Sequence, residues 1–310
     1  MEKRFAITGA TGLLGSNLVN RLLNMNHEVS VLIKDENSKS ILSPNVTKIY
    51  GDISDRNDIE FFIQRANPTH FIHLAAQTQA YDSLKYPYPT FYSNVVGTLN
   101  ILESLREFGN CKAIIVASSD KAYGELIGEK YRENHPLNGI YPYDASKSST
   151  DIIANSYRQS YNLPIVVTRA CNIYGIGDYN RQRLIPGIVY SYLKNLEIVI
   201  RNGGTDFREY VHVEDVVDAY LKLLEYVEKN NKIGAFNISS GDGYSTIDLF
   251  ELIQREIGSP IKYKIVSAPT LEIVKQLMDS SLLKQETGWI PKHSLKNDIE
   301  EIIRWYLSNI

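Results

Sequence analysis

Short apolar runs and longer amphipathic stretches take turns along the first half of the chain. Phe5-Ala6-Ile7, Val29 to Ile33, Lys48 to Tyr50, His70 to Leu74, Ala113 to Ala117 and Ile165 to Arg169 have strand length. Leu14, Leu18 and Leu22 recur at four-residue spacing, which predicts an amphipathic helix; residues 58–65, 91–108 and 143–161 read as further helices. This alternation predicts an α/β protein built on a doubly wound parallel sheet. Ligand in such a sheet lies beyond the carboxyl ends of the strands. The glycines after the first strand, Gly51-Asp52-Ile53, His73 to Gln77, Ser118-Ser119-Asp120 and Thr168-Arg169-Ala170 all fall at such ends.

The alternation breaks after Arg169. Residues 174–183 are rich in Gly, Asp, Asn and Arg and read as a loop, then 185–194 as a helix. Tyr210 to Val213 precedes an acidic-headed helix from Glu214, and Phe236-Asn237-Ile238 is a short strand. Ser245 or Thr246 caps a helix running toward Ile257, and Asp298 to Ile310 reads as a final surface helix. No low-complexity linker divides the chain. The expected organisation is a first lobe over 1–170, a smaller C-terminal lobe over 171–310, and a return of 206–228 to the first lobe.

Composition changes this picture little. Across 310 residues the content is 43% hydrophobic and 22% charged, with a formal charge of −3, which makes no electrostatic case for nucleic acid or an anionic membrane. Cys111 and Cys171 are the two thiols, without metal-ligand spacing, and suit a reducing compartment. Met1-Glu2-Lys3-Arg4 runs straight into a strand, so no signal peptide is expected, and no apolar run reaches membrane-spanning length. Six scattered histidines do not pair at metal-binding spacing, so no metal is expected. The expected location is cytoplasmic.

The chemistry begins at Thr8-Gly9-Ala10-Thr11-Gly12-Leu13-Leu14-Gly15, a glycine turn between strand and helix. In that context Gly9 makes the tight turn, Gly12 admits a pyrophosphate to the backbone, and Gly15 brings helix and strand together. An NAD site usually carries an acidic residue at the end of the second strand. Here Ile33 is followed by Lys34, which favours the 2′-phosphate of NADP, although Asp35 is placed to do the carboxylate's work if Lys34 is merely solvated.

Tyr143 and Lys147 sit four apart and share one face of a helix whose first turn Pro142 suits. A lysine beside a phenol lowers its pKa, so Tyr143 is expected near neutrality, able to take a proton from a hydroxyl that Ser119 holds. Asp120 and Lys121 add two more proton-transfer groups. His73, flanked by apolar residues at a strand end, reads as a structural hydrogen-bonder.

Together these motifs resemble the extended short-chain dehydrogenase/reductases, which have a Rossmann-like sheet. The likeness lies in Gly9 to Gly15, Gly51-Asp52-Ile53, His73-Leu74-Ala75-Ala76, Asn94 with Gly97-Thr98, Tyr143 with Lys147, and Asn172-Ile173-Tyr174-Gly175. It continues through Arg208 to Asp215 and Gly288-Trp289-Ile290-Pro291, so it covers nearly the whole chain. Within the family, Ser119-Asp120-Lys121-Ala122-Tyr123-Gly124 and Arg183-Leu184-Ile185-Pro186 are similar to CDP-glucose 4,6-dehydratases, and the cation after the second strand to GDP-mannose dehydratases. Lys121 departs from the glutamate of the dTDP-glucose type.

The resemblance implies a lobe over 1–170 that binds NADP or NAD, tightly held and recycled, and a nucleotide-sugar lobe over 171–310. Its cofactor set is Gly9, Thr11, Gly12, Leu13, Leu14 and Gly15, then Lys34, Asp52 and Ile53, then Leu74, Ala75 and Ala76, with Tyr143 and Lys147. Gln77, Asn94, Ser119, Asn172, Arg183 and Arg208 are implied for the nucleotide-diphosphate sugar, Arg208 and Arg183 as guanidinium forks on its diphosphate. Tyr81 and Tyr179 are candidates to line the sugar pocket. The catalytic set is Ser119, Asp120, Lys121, Tyr143 and Lys147. As a dehydratase, the chain oxidises C4 through Tyr143, loses water across C5–C6 with Asp120 as acid, and returns hydride to C6. Lys121 serves as a neutral base or as an electrostatic group. The alternatives are a 4-epimerase or 4-dehydrogenase using the same tyrosine, or a non-catalytic dinucleotide sensor. A homodimer is expected by resemblance.

Overall fold

The computed structural model describes residues 3–126, 128–230, 234–267 and 273–309. The strands of the first half are β1 (Arg4–Thr8), β2 (Glu28–Ile33), β3 (Thr47–Tyr50), β4 (His70–His73), β5 (Ala113–Ala117) and β6 (Ile165–Ala170). Those that follow are β7 (Asn172–Tyr174), β8 (Ile198–Ile200), β9 (Phe207–His212), β10 (Ala235–Ile238), β11 (Asp242–Ser245) and β12 (Tyr263–Ile265). A seven-stranded sheet runs β10-β6-β5-β4-β1-β2-β3, parallel throughout. Strand order reverses between β1 and β4, which opens a crevice at their carboxyl ends.

Both faces of this sheet are covered, so its strands read as continuous apolar runs and not as alternating ones. Successive residues point to opposite faces. Ile7, Ile72, Ile115 and Val166 pack with Leu18, Leu22 and the helix Val213–Asn230 on one side. Ala6, Phe71, Ile114 and Ile165 pack with the helices Arg56–Ala66 and Gly97–Phe108 on the other. A third core, around Tyr174, Ile185, Val189, Phe250, Ile253, Ile299 and Ile303, builds the smaller lobe. Among the described residues no helix is long and apolar enough to cross a membrane.

The segment that returns to the large sheet differs from 206–228. Strand β9 joins β7 and β11 in a separate three-stranded sheet, and the helix Val213–Asn230 with β10 is what comes back. The single helix expected over 91–108 is also divided. A π-helical turn, Tyr92–Val96, separates Pro87–Phe91 from Gly97–Phe108. Such turns aim a side chain out of register, and here the side chain is that of Asn94. Ser245 is the N-cap of Thr246–Ile257, in a reciprocal capping box with Asp248.

Arg169, expected at the site edge, points inward instead. Its Nε and Nη2 donate to the two carboxylate oxygens of Asp151, at 2.7 and 3.0 Å, and its Nη1 donates to Tyr123 Oη at 2.7 Å. Both side chains are almost fully buried. Removing one member of such a pair leaves a buried charge uncompensated. Asp151→Ala should therefore cost about 3–5 kcal/mol, read by chemical denaturation. A loss below about 1 kcal/mol, as for an exposed pair, would show that the pair does not hold the helix Pro142–Tyr161 to β6.

Candidate active site

The cleft starts at the glycine turn. Gly9 has φ of +74°, and a Cβ there would lie 2.6 Å from Ala75 N. A Cβ on Gly15 would overlap the Gly9 carbonyl, so this position fixes how closely helix and strand approach. Gly12 is different. It is exposed at the N-cap of the helix Leu13–Asn24, and a Cβ would meet nothing closer than Gly9 O at 3.4 Å. The protein's own packing does not demand glycine there, but a phosphate lying against the backbone at the positive end of a helix does. The cradle thus fits a dinucleotide pyrophosphate, with Thr11, Leu13 and Leu14 around it.

At the end of β2, Lys34 reaches across to Asp52 Oδ2 at 2.7 Å. Burial pushes the Asp52 carboxyl up, but Lys34 and Ser54 outweigh it and leave it below its ordinary value. Ile53 is buried beneath Gly97, whose missing Cβ would stand 2.8 Å from Ile53 Cδ1. Leu74, Ala75 and Ala76 line the next wall. Behind them Thr98 Oγ1 donates to Asn94 O at 2.6 Å, so it must accept from His73 Nε2 at 3.1 Å. His73 Nδ1 then accepts from Thr8 Oγ1 at 2.8 Å, while Thr8 Oγ1 accepts from Ala75 N. Burial lowers the imidazole pKa to about 3, so His73 is a neutral structural link.

Tyr143 and Lys147 lie one turn apart on the helix Pro142–Tyr161, both buried, with Pro142 in the first turn. The expected near-neutral phenol is not what this geometry produces. Burial raises Tyr143 to about 12, with the neighbouring Ser119 side chain acting against it. Lys147 Nζ donates to Ala117 O at 2.8 Å, and burial brings its own pKa down to about 8. Desolvation is the largest influence on both groups, and Asp151 only partly offsets it at Lys147. Ser119 caps a 3₁₀ turn, Asp120–Tyr123, by accepting from Lys121 N at 3.2 Å, and its hydroxyl donates to Asp120 Oδ1 at 2.8 Å. Asp120 is 5% exposed, and burial raises its carboxyl pKa. Lys121 is only half-buried.

Opposite stand Asn172, Arg183 and Arg208, all on the cleft wall. Asn172 is exposed and donates to Glu209 O at 3.3 Å. Arg208 Nη1 donates to the carbonyls of Phe207 and Val274 at 2.9 and 3.0 Å. Arg183 pairs with the buried Asp178 at 3.3 Å. Tyr81 and Tyr179 line the same cleft. Asn94 does not. It is buried behind the wall, where Oδ1 accepts from Gln77 N at 2.7 Å and Nδ2 donates to Gln77 O at 3.0 Å and Ser146 Oγ at 2.9 Å. With both N–H donors used and the side chain buried behind the wall, it shapes the Gln77 loop and does not itself face the cleft.

Two neighbours of the cleft residues were not legible beforehand. Asp178 sits in a loop with no periodic signal, and Gln276 meets Asp120 from 156 residues away. The fold also brings His212 and His293 face to face, ring centroids 4.1 Å apart and planes at 21°, beside Asp298. A bound ion would have to lie in both ring planes at about 2.0–2.1 Å from nitrogen, and near-parallel stacked planes do not meet there. The stack is a packing contact as it stands.

The cleft has a volume of about 1620 Å³, larger than one small molecule needs, since a single small-molecule site takes roughly 300–1,000 Å³. Residues 5–239 match the NAD dependent epimerase/dehydratase family. A putative UDP-glucose 4-epimerase of Methanocaldococcus jannaschii is 30% identical, over 98% of both chains. A CDP-glucose 4,6-dehydratase of Salmonella typhimurium is 28% identical, over 98% of this chain and 90% of that one. The crystal structure of Thermus thermophilus UDP-glucose 4-epimerase in complex with NAD superposes with a TM-score of 0.90 at 26% identity, covering 99% and 100% of the two chains. This chain accordingly belongs to the NAD-dependent epimerase/dehydratase family of extended short-chain dehydrogenase/reductases.

Proposed function

We propose that the chain is a nucleotide-sugar 4,6-dehydratase, converting a nucleotide-diphosphate hexose to its 4-keto-6-deoxy form. The observation that carries this reading is Asp120, a buried carboxyl with a raised pKa on the cleft wall beside Ser119. A buried carboxyl that holds its proton more tightly than an ordinary aspartate suits the delivery of a proton to a departing 6-hydroxyl. A 4-epimerase or 4-dehydrogenase would use Ser119, Tyr143 and Lys147 and leave Asp120 idle. It remains the second reading because relatives of both activities align over nearly the whole chain.

When bound, the nicotinamide supplies the acceptor for the C4 hydride, the donor for C6, and a positive ring while oxidised. Tyr143 takes the 4-hydroxyl proton and Ser119 steadies that oxygen as it becomes a carbonyl. The ketone acidifies C5, and Asp120 delivers the proton with which the 6-hydroxyl leaves as water. Lys121 takes the C5 proton as a neutral amine once the bound sugar covers it, and the ammonium so formed offsets the charge left at C5. Arg208, Arg183 and Asn172 grip the diphosphate, with Asp178 holding Arg183 ready. Gln77, whose backbone Asn94 fixes, borders the sugar. Lys34 favours NADP, although its pairing with Asp52 leaves less charge to spare for a 2′-phosphate.

Mass spectrometry of freshly purified protein tests the reading. The denatured supernatant identifies the carried cofactor, NADP or NAD. A panel of GDP-, CDP-, UDP- and dTDP-sugars should then yield one product lighter by a water. A product of unchanged mass with C4 inverted would move the chain to the epimerases.

We also propose a homodimer. Ile152 on the Tyr143 helix and Tyr88, Phe91, Tyr92 and Leu99 on the helical segments packed beside it stand exposed, apolar surface that a second copy would cover. Light scattering should give twice the chain mass, falling to one chain mass in Leu99→Glu/Ile152→Glu. A wild-type monomer would exclude the dimer.

A further inference from the structure

We propose that Gln276 is the positioning residue of the buried acid, its one side-chain amide serving Asp120 in both protonation states. The proposal rests on reading Asp120 as the acid for water loss.

Gln276 is 2% exposed, and its Nε2 donates to Asp120 Oδ2 at 3.1 Å. Its Oε1 is buried with no hydrogen-bond partner among the described residues. An unmet buried carbonyl is costly, and this one is only half a turn of the terminal amide away from Asp120. As a carboxylate, Asp120 accepts from Nε2 at Oδ2. As a neutral acid protonated on Oδ2, it can donate to Oε1 once the amide turns over. Ser119 donates to the other oxygen, Oδ1, before substrate enters. One side chain therefore holds the acid before its proton leaves and stabilises the anion afterwards.

The contact is not a loose one. Gln276 N donates to Phe207 O at 3.2 Å, Tyr131 N donates to Leu277 O at 2.8 Å, and Met278 N donates to Glu209 Oε2 at 2.8 Å. This strap of the smaller lobe also gives Arg208 its Val274 carbonyl. The charged and titratable groups that face Asp120 are Lys121, Arg208, Glu209, Tyr131, Tyr143 and Cys171.

The test substitutes Gln276→Met, of similar length but apolar, with Gln276→Glu as a second variant should the first fail to fold. Infrared difference titration follows the protonated-carboxyl band that Asp120→Asn removes. Losing a donor to the charged form matters more than losing an acceptor for the neutral one, so the midpoint should rise by about one pH unit in Gln276→Met. It should rise in Gln276→Glu as well, where a second carboxyl shares the site. With the substrate found in the sugar panel, water loss should slow about tenfold at unchanged KM and unchanged C4 oxidation. A midpoint that stays put in the folded variants, or equal losses in both steps, would overturn the proposal. The band titrates whatever the product, so a shifted midpoint in a protein that forms no dehydrated sugar would refute the dehydratase reading alone.

Discussion

Asp120→Asn should slow water loss by about 10²–10⁴-fold while leaving oxidation at C4 intact. The substitution keeps the size of the side chain and the shape of the 3₁₀ turn, since Ser119 still caps it through Lys121 N. An amide at 120 can still meet Ser119 and Gln276, because each has both a donor and an acceptor to offer. What it lacks is a proton to give. Cofactor reduction after rapid mixing with the nucleotide sugar should therefore keep its rate, and the 4-keto hexose should accumulate in place of its dehydrated product. In the unsubstituted protein the same logic sets a pH dependence. Burial raises the Asp120 pKa, so the neutral acid is present below that raised value, and water loss declines as pH climbs through it. That limb should vanish in Asp120→Asn. Should the variant still release dehydrated sugar at the parental rate, Asp120 would be pocket lining and the epimerase reading would stand.

What could be read beforehand was set by short-range patterns, and what could not depended on distance. The strands of the large sheet, the glycine turn and the Tyr143/Lys147 face each occupy fewer than a dozen consecutive residues, so periodicity and spacing carry them. The π-helical turn at Tyr92–Val96 was hidden, because the Asn94 it carries bonds to Gln77, 17 residues earlier, and no local pattern announces that contact. Gln276 gave no signal at all. It lies in irregular backbone, and its meaning comes from a carboxyl 156 residues away. The pairing of β10 with β6 was likewise out of reach, since a four-residue strand is identified only by its neighbour. Tyr143 shows a different kind of failure. Its place was read correctly, but a Lys four residues along says nothing about how deeply both groups are buried, and burial decides the sign of the shift.

That sign makes Tyr143→Phe the more searching experiment on the first half of the reaction. A phenol held at about 12 is no base at neutral pH. The loaded site must bring it down, and two groups can do so: Lys147, if its Nζ swings from the Ala117 carbonyl toward the phenol, and the positive nicotinamide ring. Twenty-one tyrosines obscure a direct titration, but the ultraviolet difference between the parent protein and Tyr143→Phe isolates one phenolate. Its midpoint should lie well on the alkaline side without cofactor and move toward neutrality when oxidised cofactor is added. Activity should fall by about 10²–10⁴-fold in Tyr143→Phe, and unlike Asp120→Asn it should fail already at C4, with no cofactor reduction after mixing. The lysine adds a limb of opposite sign. Its pKa of about 8 means that the ammonium is present below that pH and is lost above it, so C4 oxidation should decline on the alkaline side. Lys147→Arg, charged throughout, should remove that decline if its bulkier head is accommodated at all. A phenolate midpoint that ignores the cofactor, together with normal C4 oxidation in Tyr143→Phe, would take the tyrosine out of the chemistry and leave Ser119 as the group nearest the reacting hydroxyl.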